Sequence, residues 1–552
     1  MNKLKIGLLV DSKFSSKYVC EFIEWARQQA TIEVGYLIIC ASERSSEVKI
    51  ASRATAEGKS RSFGTRTLFR VIVAIETILL RRRPLHRDHL DQLDLSKDVK
   101  NQVFIEPQIS KSGFVHRFSA ADVGRVKALG LDLIVGCGSG ILRGEMLEAA
   151  RLGIIGFHHG DNRVVRGAPA GFWECYHQWP KTGFVIQRLT ENLNGGIVLL
   201  RGNYATHYLY LLNQANLFKK SYLHLRNLVL RIAQTGDLPV AEEAYPYSGK
   251  LYRIPGAYQS VVYLGKIFYR HSWKIVERVL RIRKRWGISF IHANWRSASL
   301  WQSVAPAWPA GRFWADPFVY RHDGKAYCLV EEVPYKTKRG HITALEIREH
   351  EAVELGICLK EPFHLSFPFL FKFKGDLYMC PECFRSGQIR VYACKNFPLQ
   401  WELASVLIQG VSAADTMLFE HHGRWWMLTN MDKAGAQDHS AELYLFYANS
   451  PLDTNWTAHS QNPIRLDSEG GRNAGLILEE GRIFRLGQAQ GFDQYGEGLM
   501  VYEIAELSER AYKEVLVSTV DRHFRDRLLG IHHMSTTGTT TVFDHMSRSF
   551  GW

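Results

Sequence analysis

The chain has 552 residues, of which 46% are hydrophobic and 22% charged, and it carries a formal net charge of +14. These values describe a globular protein of two or three domains and exclude a disordered or fibrous one. No run of 18 apolar residues offers a membrane-spanning helix. The nine cysteines, odd in number and scattered, read as reduced thiols and not as a disulfide framework.

Met1-Asn2-Lys3-Leu4-Lys5 leads directly into Ile6-Gly7-Leu8-Leu9-Val10, which predicts a strand over residues 3 to 10 and no secretory leader. A helix over Tyr18 to Arg27 and a strand over Thr31 to Cys40 follow. This is the opening of a doubly wound α/β domain, and the lack of G-x-G-x-x-G after the first strand disfavours a dinucleotide fold. A basic insertion at about 58 to 90 interrupts the domain. There Leu68 to Leu80 runs into Arg81-Arg82-Arg83 and reads as a basic amphipathic helix. Val103-Phe104-Ile105 and a helix over Ala120 to Leu129 return the chain to the sheet.

The stretch from Asp132 to Gly202 holds the first candidate site. The strand Leu133-Ile134-Val135 enters a small-residue turn, Gly136-Cys137-Gly138-Ser139-Gly140, and Met146, Leu147 and Ala150 predict a helix. The strand at Ile154-Ile155 delivers His158, His159 and Asp161 to its carboxyl end, where open α/β sheets place their ligands. Asn162 and Arg166 extend that loop and are candidate substrate contacts. The strand Phe184-Val185-Ile186 ends in the polar loop Thr190 to Gly196. Farther on, Leu223 to Gln234 predicts a closing helix capped by Gly236.

The order Gly153-Ile154-Ile155-Gly156-Phe157-His158, then Arg166-Gly167-Ala168-Pro169, then Thr182-Gly183-Phe184, then Leu193-Asn194-Gly195-Gly196 resembles the formyltransferase family. The resemblance spans roughly residues 1 to 235. It implies a formyltransferase-like α/β fold, 10-formyltetrahydrofolate held against Gly138, Gly140, Ile141 and Leu142, and an amine acceptor activated near His158. The family's asparagine falls on Gly156 and its aspartate on Asn194, so His158 matches alone, with Asp161 the nearest carboxylate to take over the missing role. Catalytic candidates are therefore His158, Asp161 and Asn194.

Residues 241 to 258 are rich in Tyr, Pro and Gly and read as a connector. Lys266 to Arg285 reads as a second basic amphipathic helix. A solvated face, an anionic membrane surface and nucleic acid compete for the basic charge, and no nucleic-acid motif accompanies it. Cys380-Pro381-Glu382-Cys383 is a lone C-x-x-C, which without a second ligand pair does not point to zinc.

From about 291 onward a unit repeats: an apolar strand, a hairpin glycine and an aromatic strand. The glycines are Gly324, Gly375, Gly423 and Gly481, spaced 51, 48 and 58 residues apart. A period near 50 in an all-β pattern predicts a propeller over 291–552. A degenerate unit from Gly530 to Asp544 makes a fifth blade, with Trp295 to Trp308 completing it from the other end. Eight residues before the glycines stand Asp316, Phe367, Asp415 and Asn473; seven after stand Glu331, Glu382, Asn430 and Gln488. Matched positions of inner strands converge on the funnel, so Asp316, Glu382, Asp415, Arg472, Gln488 and His533 are candidate glycan contacts.

Through Trp314-Ala315-Asp316-Pro317-Phe318 and the text from Arg472 to Gln488, this half resembles the amino-terminal propeller of the plant glucosamine inositolphosphorylceramide transferase family. More distantly it resembles the arabinanase- and levansucrase-like glycosidases. The expected function is a cytoplasmic, formyltransferase-like enzyme of surface-polysaccharide or glycolipid assembly, peripheral at the inner face of a membrane. It would act on a sugar nucleotide or glycan, with no nucleic acid and with the propeller gripping the sugar. Two alternatives stand beside it: a propeller that hydrolyses or transfers glycosides behind a degenerate front domain, and a non-catalytic glycan-binding scaffold.

Overall fold

The computed structural model describes residues 3–40, 63–111, 115–138, 140–191, 195–243 and 247–550. They form two units, Met1–Tyr269 and Arg270–Trp552.

The front unit is built on a seven-stranded mixed sheet. Five parallel strands lie in the order Gln102–Phe104, Ile32–Ile39, Leu4–Val10, Leu133–Gly136, Ile154–His158. Lys181–Arg188 and Ile197–Ala205 add two antiparallel strands at one edge. The parallel strands are near-continuous apolar runs because both faces are covered. Leu9, Ile38, Ile134 and Ile154 pack with Val123, Val126, Met146 and Leu147 on one side, while Leu8, Leu37 and Val135 are buried on the other. Chain growth reverses direction between Leu4–Val10 and Leu133–Gly136, which makes the carboxyl ends of those strands the switch point where such sheets open a crevice.

Several elements differ from the sequence reading. Met146 to Ala150 forms a single 3-10 turn, Glu145–Glu148, because Gly144 and Gly153 bracket it with positive φ and leave room for no more. The closing helix runs from Tyr210 to Thr235, much longer than periodicity indicated, and ends on Gly236 at φ 80° as expected. The basic insertion forms the helix Phe63–Leu80, whose Phe69, Ile72 and Leu80 are buried against Phe172, Tyr210 and Tyr263.

That helix also delivers Glu76, fully buried, to the start of the closing helix. The Glu76 carboxylate accepts hydrogen bonds from Tyr210 N (3.1 Å), Leu211 N (2.7 Å) and the Tyr263 hydroxyl (2.5 Å). It supplies from a distance the cap that Leu209 cannot. Burial nevertheless raises its pKa to about 7, against those hydrogen bonds. Its stabilising contribution is therefore complete below about pH 4.5 and declines as pH rises through 7. Glu76→Ala should lower stability by about 2–4 kcal/mol, since three donors lose a buried acceptor. Urea unfolding of the variant checks it, and a loss under about 1 kcal/mol would refute the capping role.

The second unit is a five-bladed propeller. The four repeat blades start at Arg312–His322, Ser366–Phe373, Ala413–His421 and Glu469–Glu479, each followed by antiparallel strands. These inner strands contact one another in sequence, and Met534–Thr536 closes the ring between the fourth and the first. The fifth blade pairs Thr541–Phe550 with Ile282–Ile291, in register from Ile282↔Phe550 to Ile291↔Thr541. The closing strand thus comes from 282–291 and not from Trp295 to Trp308, which contributes a 3-10 turn at Leu300–Gln302 and one bridge, Val304 to Phe290. In consequence the second basic stretch divides. A helix covers Ala257–Val279, and Arg283, Lys284 and Arg285 lie on the strand.

Candidate functional site

In the front unit a cleft of about 170 Å³ opens at the switch point. Gly138, Gly140, Ile141 and Leu142 form one wall, and Asp11, His116, Gly156, Gln187 and Gly196 complete it. A Cβ built on Gly156 would stand 3.5 Å from Gly136 O and 3.6 Å from the Leu189 side chain, ordinary contact distances.

His158 does not line this cleft. It is buried, and its Nε2 donates to Val165 O at 2.7 Å, which fixes the tautomer and leaves Nδ1 as the lone-pair nitrogen. Burial lowers its pKa, so the ring is neutral near pH 7. Asp161 was expected to orient His158; instead its carboxylate is taken by Arg163 (Nη2 to Oδ2, 3.0 Å) and Arg201 (Nη1 to Oδ1, 2.5 Å). Burial would raise the Asp161 pKa, but the Arg163 hydrogen bonds and the Arg201 charge outweigh it and hold it below the carboxylate range. Its backbone also passes 2.8 Å from where a Gly183 Cβ would stand, which is why that strand needs glycine.

Asn162 joins the same network, accepting from Arg201 Nη2 at 3.0 Å, and Arg166 donates to Asn162 O and lies over the Tyr247 ring. His159 stacks on Phe218 with ring centroids 3.7 Å apart, so it is a packing residue with its pKa pushed to about 3 by burial. Asn194 lies outside the described residues.

Glu174 stands on the short helix Phe172–His177 and belongs to no sequence motif. It is buried, its carboxylate oxygens find no hydrogen-bond partner among the described residues, and burial raises its pKa to about 7, with Asp161 adding to the shift.

The propeller funnel is assembled by the register the repeats predict. Asp316, Phe367 and Asp415 share φ values of 47°, 46° and 48°, each at a β-bulge of its inner strand. Three non-glycine residues in this left-handed region cost on the order of 1 kcal/mol each and turn three equivalent side chains toward the axis. Asp316 Oδ2 accepts from Phe367 N at 3.1 Å, and Asp544 Oδ2 accepts from Asp316 N at 3.1 Å, so each carboxylate anchors the next blade. Asn473 donates to Asp415 O, and Asn430 accepts from Asn473 N.

Within this belt the charges are paired. His532 bridges Asp316 (Nε2 to Oδ1, 3.1 Å) and Asp544 (Nδ1 to Oδ2, 2.8 Å). Arg472 reaches Asp415 (Nε to Oδ2, 2.5 Å) and Glu382 (Nη2 to Oε2, 3.2 Å). Burial raises the Glu382 pKa well above the usual range, and Asp415, to which it is hydrogen-bonded, adds to the shift. Gln488 donates to Asn473 O at 2.9 Å and lies 3.4 Å from Asp415 Oδ2. His533 is fully buried against Phe318 and Phe367, and neither ring nitrogen has a hydrogen-bond partner among the described residues; burial holds its pKa at about 4.

Trp314, Trp425 and Trp426 are buried in the blades. Tyr495 is 37% exposed, with the Arg472 guanidinium 5.1 Å from its ring centre and His532 and half-buried Trp286 beside it. An exposed ring above a layer of buried hydrogen-bonding groups can stack on a sugar face while its edge hydroxyls are read below.

Hydrolysis needs carboxyls roughly 5–9.5 Å apart, flanking the bond to be cut. In the funnel Glu382 and Asp415 both pair with Arg472, and both oxygens of Asp316 are engaged, by His532 and by Phe367 N.

A family model described as glucosamine inositolphosphorylceramide transferase 1, N-terminal, matches residues 298–528. Relatives of that name include one from Oryza sativa subsp. japonica, 37% identical over 211 residues, which cover 37% of this chain and 28% of the relative. Another, from Arabidopsis thaliana, is 33% identical over 240 residues, 40% of this chain and 31% of the relative. The chain spans about three tenths of the length of these relatives. Among solved structures, Zg3597, a family 117 glycoside hydrolase of Zobellia galactanivorans, is 12% identical with a TM-score of 0.33 over 48% of this chain and 91% of its own. Glycinamide ribonucleotide transformylase 1 from Symbiobacterium toebii is 17% identical with a TM-score of 0.27 over 42% of this chain and 86% of its own. The propeller half is therefore similar in sequence to the amino-terminal part of glucosamine inositolphosphorylceramide transferases.

Proposed function

We propose that this protein is a transferase of glycolipid or surface-glycan assembly whose propeller funnel grips the sugar part of the substrate. The observation that carries the reading is the funnel itself, with exposed Tyr495 beside a buried hydrogen-bonded layer of Asp316, Glu382, Asp415, Arg472 and Gln488. The relatives' name, a transferase acting on an inositolphosphorylceramide, supports a glycolipid substrate. Tyr495→Ala should weaken binding to an oligosaccharide array by about tenfold, the loss of one stacking contact of roughly 1.4 kcal/mol, and leave the melting temperature unchanged. Equal binding by both proteins would sink the funnel as the sugar site.

The finer reading gives the front cleft a formyl transfer to an amino sugar. The cleft, lined by glycines together with Asp11, His116, Gln187 and Leu189, would receive the ring head of 10-formyltetrahydrofolate, which Gly138, Gly140, Ile141 and Leu142 would hold. The carrier would supply the activated formyl group. The chain's own part is to accept a proton from the attacking amine. His116 lines the cleft and burial lowers its pKa, so its neutral ring is placed to do so, whereas His158 and Glu174 stand outside the lining. Gly156→Val should fill the cleft without disturbing the strand and abolish calorimetric binding of the folate. Undiminished binding in that variant, or none in the wild type, would remove the folate reading and leave the funnel untouched.

A further inference from the structure

The helices Phe63–Leu80 and Ala257–Val279 are joined along one side of each, through Phe69, Ile72, Leu80, Tyr263 and Ile267 and through the Glu76 to Tyr263 hydrogen bond. Their other sides are apolar and uncovered. On the front-unit part of the second helix Tyr258, Val261, Gly265 and Phe268 follow one another at alternating steps of three and four, a stripe on a face away from buried Ser260, Tyr263 and Ile267. Phe268 is 75% exposed. On the first helix Val71, Ile75 and Ile78 repeat the pattern and are exposed too. So many large apolar side chains in one outward row exceed what a solvated face carries.

The charge around this face has one sign. Arg70, Arg81, Arg82 and Arg83 are exposed on or just beyond the first helix. The carboxylate of that helix, Glu76, is buried as the cap. A second copy of the chain would bring two arginine clusters and two charges of +14 together. An anionic bilayer complements both features, with an acyl boundary for the stripe and phosphates for the arginines. No described helix is long and apolar enough to cross a membrane, so the face lies on the bilayer.

We infer that this two-helix face is the surface by which the protein lies on an anionic lipid bilayer. The stripe inserts at the headgroup boundary, Tyr258 and Tyr269 sit at interfacial depth, and the arginines hold lipid phosphates.

Sedimentation of the full chain with phosphatidylcholine vesicles, and with vesicles of phosphatidylcholine mixed with phosphatidylglycerol, tests it. Binding to the mixed vesicles should be at least tenfold stronger and should fall with salt. Arg81→Ala/Arg82→Ala/Arg83→Ala should weaken it by about a hundredfold, as each arginine near the surface is worth roughly a factor of five. Val261→Glu/Phe268→Glu, both at exposed positions and so compatible with folding, should abolish it. Equal binding to neutral and anionic vesicles, no binding at all, or full binding by the stripe variant would overturn the inference. So would a stripe variant that turns a dimer into a monomer without changing vesicle binding.

Discussion

His532→Gln is expected to destabilise the propeller by about 3–5 kcal/mol at pH 7. The reason lies in the two carboxylates it separates. Asp316 is 6% exposed and Asp544 fully buried, and each also anchors backbone N–H groups, so neither can move to water. Burial alone would discharge His532, but Asp544 and Asp316 outweigh it and hold the pKa at about 10. Burial likewise pushes the Asp316 carboxyl up, and the His532 charge outweighs it and keeps it at about 2. A histidine whose pKa is raised on folding stabilises fully below about pH 6.5 and loses that contribution as pH rises through 10. Wild-type stability should therefore fall between pH 7 and 10, and in the glutamine variant that slope should flatten. Guanidinium unfolding across that range measures both. A variant within about 1 kcal/mol of wild type, or a flat wild-type profile, would show that the bridge carries no net stability.

The blade positions were legible because a hairpin glycine fixes register: counting back eight residues from Gly324, Gly375 and Gly423 lands on the three residues that share a left-handed φ. Their roles were not, because their partners come from distant text. Asp316 meets His532 216 residues later, and Glu382 meets Arg472 90 residues later. The closing strand 282–291 was hidden for the same reason. Its partner is 541–550, and without that pairing Arg283, Lys284 and Arg285 look like the end of a basic helix.

In the front unit the glycine turn pointed to the cleft wall, since bare backbone after a buried strand marks a switch-point crevice. The groups around His158 were misjudged in a physically instructive way. Proximity in sequence suggested Asp161 as its partner, but Arg201, on the edge strand, outbids any neutral imidazole for that carboxylate. A carbonyl seven residues on, Val165 O, takes the histidine instead. Glu174 carried no sequence signal, because an acid in a short helix is usually solvated, and only burial on all sides reveals its raised pKa.

Arg472→Met should cost about 3–5 kcal/mol at neutral pH, because the substitution strands two buried carboxyls that share one guanidinium. Arg472 is the cation paired with both Asp415, 2% exposed, and Glu382, 6% exposed. Glu382 already has a raised pKa, so its contribution is favourable at low pH and is lost as pH climbs above the ordinary carboxyl range. Without the arginine that loss deepens, and the deficit of the variant should widen from pH 4 to pH 8. The triple variant Arg472→Met/Glu382→Gln/Asp415→Asn removes the stranded charges and should recover most of the stability, since a buried ion cluster replaced as a whole is close to neutral in cost. Sugar binding should not recover with it. A cluster that exists only to hold the blades together would predict the reverse, a triple variant as stable as wild type and equally able to bind. The funnel is a binding site only if stability returns and affinity does not.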